Sequence, residues 1–368
     1  MSTRLISRIG AALGFGSLLA GLLVPAAAAA ASSPTPFDVW LGSNCVGTYA
    51  APANEMFTLV WKDVHGTLVA HQSVTTDAYG DWQFCSTGHV VNTGDTFKAT
   101  AGTTTNTFVV PVLALSVNRV HDRLTGLAPA GTLVHIHCDI TNGFEPCIWH
   151  QRARADINGK WSQSVPFPVI GGYHFDIKWK SDDGDSASVY GQAPYVTPEL
   201  GTAKVSGAYD DGKSANLFLY DASMTLKGTA SITGDAYDGS FGAKFIDAGG
   251  HTVNVAAGDT IDATALASNA EFVIPQIQAT AVASTDRVSG SCENTPSSLG
   301  FANVSLYRTG TLVGWANGEG DGNGGVFDFS FRHLGPFDNE ANVKVGDRLV
   351  IDCVQQDLDG ALLTIHAQ

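Results

Sequence analysis

Asp156-Ile157-Asn158-Gly159-Lys160-Trp161 reads as a hairpin turn and the start of a strand. The Asp side chain caps the turn, the Gly takes the positive φ that the turn requires, and the aromatic two residues on enters the next strand facing a core. Asp77-Ala78-Tyr79-Gly80-Asp81-Trp82 repeats this punctuation, so Trp82 and Trp161 are expected in cores rather than on a ligand surface. Around these turns run short alternating stretches such as Phe57-Thr58-Leu59-Val60-Trp61, Val304-Ser305-Leu306-Tyr307 and Val326-Phe327-Asp328-Phe329-Ser330-Phe331. Alternation with period two, broken by Gly, Asn and Asp, predicts antiparallel strands packed face to face as sandwiches. Beyond the N-terminal segment no long window keeps a helical period, so the chain is read as all-β.

The alternation is organised by internal repeats. Phe108-Val109-Val110-Pro111 returns as Phe272-Val273-Ile274-Pro275, and Asp122-Arg123-Leu124-Thr125-Gly126 as Asp286-Arg287-Val288-Ser289-Gly290, both 164 residues later. Gly94-Asp95-Thr96 and Gly258-Asp259-Thr260 keep the same offset. Residues 59–79 also align without a gap onto 217–237, sharing Asp63 with Asp221 and Thr67-Leu68 with Thr225-Leu226. The expectation is four β-sandwich modules in an A-B-A-B order: 35–110, 111–192, 193–274 and 275–368.

Leu124-Thr125-Gly126-Leu127-Ala128-Pro129-Ala130-Gly131-Thr132-Leu133-Val134, followed by Ala155-Asp156-Ile157-Asn158-Gly159-Lys160-Trp161-Ser162, resembles the bacterial immunoglobulin-like repeats of secreted and surface-attached proteins. The Ala-Pro-Ala-Gly step becomes Ala51-Pro52-Ala53-Asn54 in the first module and disappears around Gly207 and Gly290. The resemblance implies tandem immunoglobulin-like sandwiches serving as stalks, spacers or adhesive modules, with no shared catalytic residues.

Composition bounds the function. The 368 residues carry a formal charge of −15, with 44% hydrophobic and 15% charged residues. That hydrophobic share builds cores, and the negative balance repels nucleic acid and anionic lipid heads. Arg4 and Arg8, an apolar stretch and the alanine run ending at Ala31 read as a secretory signal peptide over 1–31, too short and glycine-rich to span a bilayer. The mature chain is expected outside the cell, in solution or held at the surface, with no membrane insertion.

Six cysteines in a secreted chain point to three disulfides, most simply paired within modules: Cys45 with Cys85, Cys138 with Cys147, and Cys292 with Cys353. Closing the two longer loops is worth on the order of 4 kcal/mol each. The third module has no Cys and is expected to lean on its neighbours.

Candidate sites are few. His135 and His137 share one face of a strand and His150 sits on the next, so three imidazoles suit Zn or Cu, although nearby arginines oppose a cation. No metal site is assigned on this basis. Relative charge neutrality makes residues 111–190 the part of the chain least repelled by an acidic polysaccharide, with seven Lys and Arg against eight Asp and Glu. The acidic loops Asp182-Asp183-Gly184-Asp185, Asp210-Asp211-Gly212 and Glu319-Gly320-Asp321-Gly322-Asn323-Gly324 offer oxygens for Ca²⁺ at module joints, competing with a plain turn-forming role. Trp149 and Trp179 are the aromatics singled out for sugar stacking. No hydrolase motif stands in a usable context; Asp238-Gly239-Ser240-Phe241-Gly242 is a hairpin turn lacking the first Gly of a nucleophile elbow. The sequence is therefore read as a non-catalytic adhesion or spacer protein whose partner is extracellular polysaccharide or a surface protein. A carbohydrate-binding accessory protein and a small hydrolase with an intermodule site are the alternatives.

Overall fold

The computed structural model describes residues 35–48, 51–139, 148–210, 212–266, 271–293, 301–319, 325–331, 342–354 and 359–368. The proposed signal peptide and the 319–324 loop beyond Glu319 lie outside them, as do Asp211 and Cys147, and with Cys147 the Cys138–Cys147 pairing. Among the described residues no helix is long and apolar enough to cross a membrane.

The chain is all-β, and the strands among the described residues fall into four groups of seven with one strand order. In the first, β1 (Asp38–Trp40), β2 (Cys45–Thr48) and β5 (Trp82–Cys85) form one layer, and β3 (Met56–Lys62), β4 (Leu68–Thr75), β6 (Thr96–Ala101) and β7 (Thr104–Val109) form the other, in the order β4-β3-β6-β7. The second pairs the layer β12-β9-β8 with β11-β10-β13-β14, using β8 (Ala114–Asn118), β9 (Arg123–Leu127), β10 (Leu133–Asp139), β11 (Ile148–Arg154), β12 (Lys160–Ser164), β13 (His174–Lys180) and β14 (Ser186–Gln192). The third pairs β15-β16-β19 with β18-β17-β20-β21, from β15 (Tyr195–Pro198), β16 (Lys204–Ala208), β17 (Ser214–Tyr220), β18 (Leu226–Thr233), β19 (Ser240–Lys244), β20 (Thr260–Asp262) and β21 (Glu271–Val273). The fourth pairs β22-β23-β26 with β25-β24-β27-β28, from β22 (Gln276–Val282), β23 (Arg287–Glu293), β24 (Phe301–Arg308), β25 (Thr311–Glu319), β26 (Val326–Ser330), β27 (Arg348–Val354) and β28 (Gly360–His366). Because the order is the same throughout, the alternation of two kinds, A-B-A-B, has no counterpart in topology.

The hairpin punctuation works as the sequence requires. Asp77 Oδ1 accepts from the N–H groups of Tyr79 at 2.7 Å and Asp81 at 2.9 Å, and Gly80 takes φ 87°. These two backbone donors, that of Asp81 first, hold the Asp77 carboxyl below its ordinary range. Asp156 Oδ1 accepts from Asn158 and Lys160 in the same way, with Gly159 at φ 78°. Trp82 and Trp161 are both core residues, 6% and 3% exposed.

The recurrent Gly-Asp step also has a physical cause. Asp95, Asp259 and Asp347 are buried just before the sixth strand of their groups, and each Oδ2 accepts the N–H three residues upstream, from Asn92, Ala256 and Lys344. The same carboxylates take a donor from the third or fourth strand: Trp61 Nε1 at 3.1 Å, Lys227 Nζ at 2.5 Å and Arg308 Nη2 at 2.7 Å. Gly346-Asp347 is thus a further copy that the sequence comparison missed. In the second group Tyr173 occupies the place.

Gly126, Gly207 and Gly290 lie in the second strands of their groups. A Cβ on Gly126 would overlap the Ala114 carbonyl oxygen and stand 2.7 Å from the Trp161 indole; Gly207 and Gly290 meet Phe241 and Phe327 the same way. Glycine lets the aromatic of the fifth strand lie across the backbone. Gly126→Ala is therefore expected to cost about 1–3 kcal/mol by overpacking, measured as a lower denaturation midpoint without a change in m-value.

Two continuous cores result, one over residues 37–193 and one over 196–367. Within the first, β1 pairs in parallel with β14, Asp38 opposite Ser186 and Trp40 opposite Ser188, so the first and second groups share a seven-stranded sheet. In the second half a parallel bridge joins Glu199 to Leu362, and Leu200 N donates to Leu362 O at 2.8 Å. This departs from a purely antiparallel fold. Short β1 leaves a sheet edge that the last strand of the following group covers, which removes an exposed edge.

Two disulfides are described. Cys292 on β23 and Cys353 on β27 join the two layers of the fourth group, whereas Cys45 and Cys85 are directly opposed on β2 and β5 within one layer.

Carboxylates of the acidic loops act as struts between groups. Asp185 Oδ1 accepts from Phe37 N and Asn106 Nδ2, both at 2.8 Å, and Asp210 Oδ2 accepts from Ser116 Oγ at 2.7 Å and Lys213 Nζ at 2.6 Å. Gly42, at φ 78°, is required where the first group meets the third, since a Cβ there would stand 2.9 Å from the Tyr237 Cα. Trp40 stacks on Tyr190 at 4.5 Å, and Tyr190 meets Tyr237 edge-on at 5.7 Å, continuing this contact across three groups.

Candidate functional site

The histidine face forms in part. His137 is opposite His150 across β10 and β11, and their rings meet edge-to-face at 4.6 Å. His135 instead faces Arg152, and burial, then the charges of Arg152 and His137, push its pKa down. Among the described residues no group of three metal-ligating side chains is assembled. Trp149 and Trp179 are half-buried against the first core; Trp149 meets Phe167 edge-on at 6.0 Å and Trp179 stacks on Phe108 at 6.5 Å. Asp185 and Asp210 sit at joints, as a cation site there would need, but protein donors already occupy one oxygen of each, Oδ1 of Asp185 and Oδ2 of Asp210.

A groove of about 1070 Å³ opens where the first three groups meet. Its floor is the outward face of β12-β9-β8. Alternation turns Leu115, Leu124 and Trp161 into the core and leaves Ser116, Arg123, Thr125, Lys160 and Ser162 on the other face. Leu41, Asn92 and Thr93 of the first group form one wall, with Lys213 and Ala236 of the third opposite. Four cations, Arg123, Arg154, Lys160 and Lys213, line the groove against one carboxylate, Asp156, in a chain with 20 basic and 35 acidic residues. Asp156 is turned into its own hairpin, Lys213 is paired with Asp210, and Arg154 Nη1 donates to Gly131 O. Arg123 and Lys160 are exposed and make no ion pair among the described residues. The near-neutral count over 111–190 falls on this group, but a charge count does not mark which face carries the free cations. The groove requires walls from two other groups, which strand alternation does not reveal.

A second polar locus lies at the far joint. Asp352 on β27 lies across from Asn303 and Leu362, and its Oδ1 is enclosed with no hydrogen-bond partner. Burial pushes its pKa from the ordinary 3.8 up to about 7. Burial and then the charge of Asp352 raise the neighbouring Tyr195 phenol. The unfolded chain releases the Asp352 proton near pH 3.8 and the folded chain near 7, so stability is full below 3.8 and is lost as pH rises through 7. Asp352→Asn is expected to raise the melting temperature at pH 8, by up to a few kcal/mol of stability, and to leave it unchanged at pH 3.5.

No family model matches the chain, and no curated protein matches it. Among solved structures, it is similar over 90% of its length to a tetra-tandem repeat in the extending region of a large adhesion protein, covering 99% of that chain at 15% identity and a TM-score of 0.19. It is similar over 92% to a structure of a 1.5-MDa bacterial ice-binding adhesin, covering 98% of that chain at 11% identity and a TM-score of 0.19. It is also similar over 92% to the FN1–FN3 domains of chicken CNTN1, covering 99% of that chain at 9% identity and a TM-score of 0.22. At such identities and TM-scores these likenesses assign neither activity nor ligand.

Proposed function

We propose that the protein works outside the cell as a non-catalytic adhesion protein, binding through the surfaces created where its sandwiches meet. The observation that carries this reading is the parallel β1–β14 pairing, which sets the start of the first sandwich beside the end of the second. A chain built to span distance gains nothing from doubling back, whereas a rigid platform gains fixed walls for a binding groove. Cysteines locked in disulfides fit an oxidising, extracellular setting. The bead-on-string spacer is the weaker form of the same reading.

The test immobilises the protein from residue 35 onward on beads and measures retention of bacterial and plant polysaccharides and of intact cells, with and without calcium. Selective retention with unchanged polymer length supports adhesion. Shortening of the retained polymer would replace it with a hydrolase, and retention of nothing would replace it with a spacer.

A further inference from the structure

We propose that the three-group groove is a binding site for an acidic, carboxylate-bearing polysaccharide, with Arg123 and Lys160 receiving the carboxylates and the hydroxyl-bearing floor receiving the sugar hydroxyls. This rests on the reading that the protein acts by binding. The chain carries its own comparison. Asp122-Arg123 in the second sandwich corresponds to Asp286-Arg287 in the fourth, and the two aspartates hold the same left-handed conformation, φ 44° and 53°. Each also accepts a backbone N–H through Oδ1, from Val169 at 2.7 Å and from Val343 at 3.0 Å.

The arginines that follow have different fates. Arg287 is neutralised by Asp328, with Nε donating to Oδ1 at 3.0 Å and Nη2 to Oδ2. Asp328 stands opposite Ser289; at the matching position, opposite Thr125, the second sandwich has Ser162. The copy that lines the groove therefore lacks the carboxylate that silences its repeat, and Arg123 keeps its charge for another partner.

The floor fixes the class of that partner. Thr125 and Ser162 lie on the groove face beside the two cations, and β8, β9 and β12 themselves carry no acidic side chain on that face; the nearest carboxylate, Asp210, is taken up by Ser116 Oγ and Lys213 Nζ. Alternating hydroxyls and well-spaced charges match an acidic sugar chain. A nucleic acid, with its denser charge, meets stronger repulsion from a protein of −15.

The test is calorimetric titration of the protein from residue 35 onward with polygalacturonate, its methyl ester and inorganic polyphosphate, at low and high salt. Expected are binding of polygalacturonate that weakens with salt, loss of at least tenfold on ester formation, and a similar loss in Ser162→Asp, which recreates the pairing of the fourth sandwich without removing a cation. Arg123→Ser with Lys160→Ser should lose as much, and Lys98→Ala, an exposed cation outside the groove, should lose nothing. An unchanged melting temperature for Ser162→Asp separates this from misfolding. Full binding by Ser162→Asp, equal binding of the ester, or tighter binding of polyphosphate would overturn the site. The adhesion reading survives those results if the bead assay still retains a polymer or cells, and falls with the site if nothing is retained.

Discussion

Arg119→Ala is expected to lower stability by about 3–5 kcal/mol, because it strands a buried carboxylate. Arg119 follows β8 in the second sandwich, and Asp359 precedes β28 in the fourth; their side chains are 1% and 4% exposed, with Nη1 and Oδ2 3.3 Å apart. Nη1 also donates to Pro194 O at 2.6 Å, in the connection between the two halves, and Val196 N donates to Asp359 Oδ1 at 2.9 Å. One guanidinium and one carboxylate thus tie the second sandwich, the connecting segment and the fourth sandwich together. Losing the cation leaves Asp359 desolvated without its counter-charge, so the joint should open before either core melts. The measurement is calorimetry with limited proteolysis. A separated low-temperature transition and new cleavage near residues 194–198 are expected. Replacing both partners by apolar residues, Arg119→Met with Asp359→Leu, should cost clearly less than the sum of the single changes. Additive losses would show that the pair does not couple the halves.

Cys353→Ala with Cys292→Ala is expected to cost about 4 kcal/mol in the fourth sandwich, from the chain entropy of a loop with 61-residue separation. Cys292 is 2% and Cys353 0% exposed, inside the core, so the change also leaves small cavities. The effect should be confined to the second half, because each half has its own core. Hydrogen exchange resolved by segment checks this: protection should fall over β23, β24 and β27 and persist over β10, β13 and β14. Equal loss in both halves would mean that they unfold as one unit. Removing Cys45–Cys85, which links neighbouring strands of one layer near the surface, should cost less structure because the backbone ladder already holds those strands together.

Much of the fold was legible because its signals are local. The Asp-Gly turns, the alternation in Met56–Lys62 and the burial of Trp82 and Trp161 all follow from residues a few positions apart. Repeats then multiplied each local reading, and the Cys45–Cys85 and Cys292–Cys353 pairings followed from confining partners to one module. The candidate sites fared differently. Trp149 and Trp179 look like free aromatics in sequence, yet both lie half-buried against the first core, beside Phe167 and Phe108. His135, His137 and His150 share a sheet face as alternation demands, but cross-strand register gives His135 an arginine neighbour in place of a third imidazole.

By itself the sequence determined the all-β class, the turns, the recurrence of the sandwiches, though as two alternating kinds, and the inward face of each strand, because period, turn chemistry and repetition act over short stretches of chain. The tertiary structure alone decided that β1 pairs with β14, that Arg119 meets Asp359, and that Arg123 finds no ion-pair partner among the described residues where Arg287 does. These outcomes depend on which surfaces the sandwiches press together. A strand's pattern states which side is wet or dry, but a charged residue on the wet side carries no mark of whether another module, a carboxylate or open solvent will cover it.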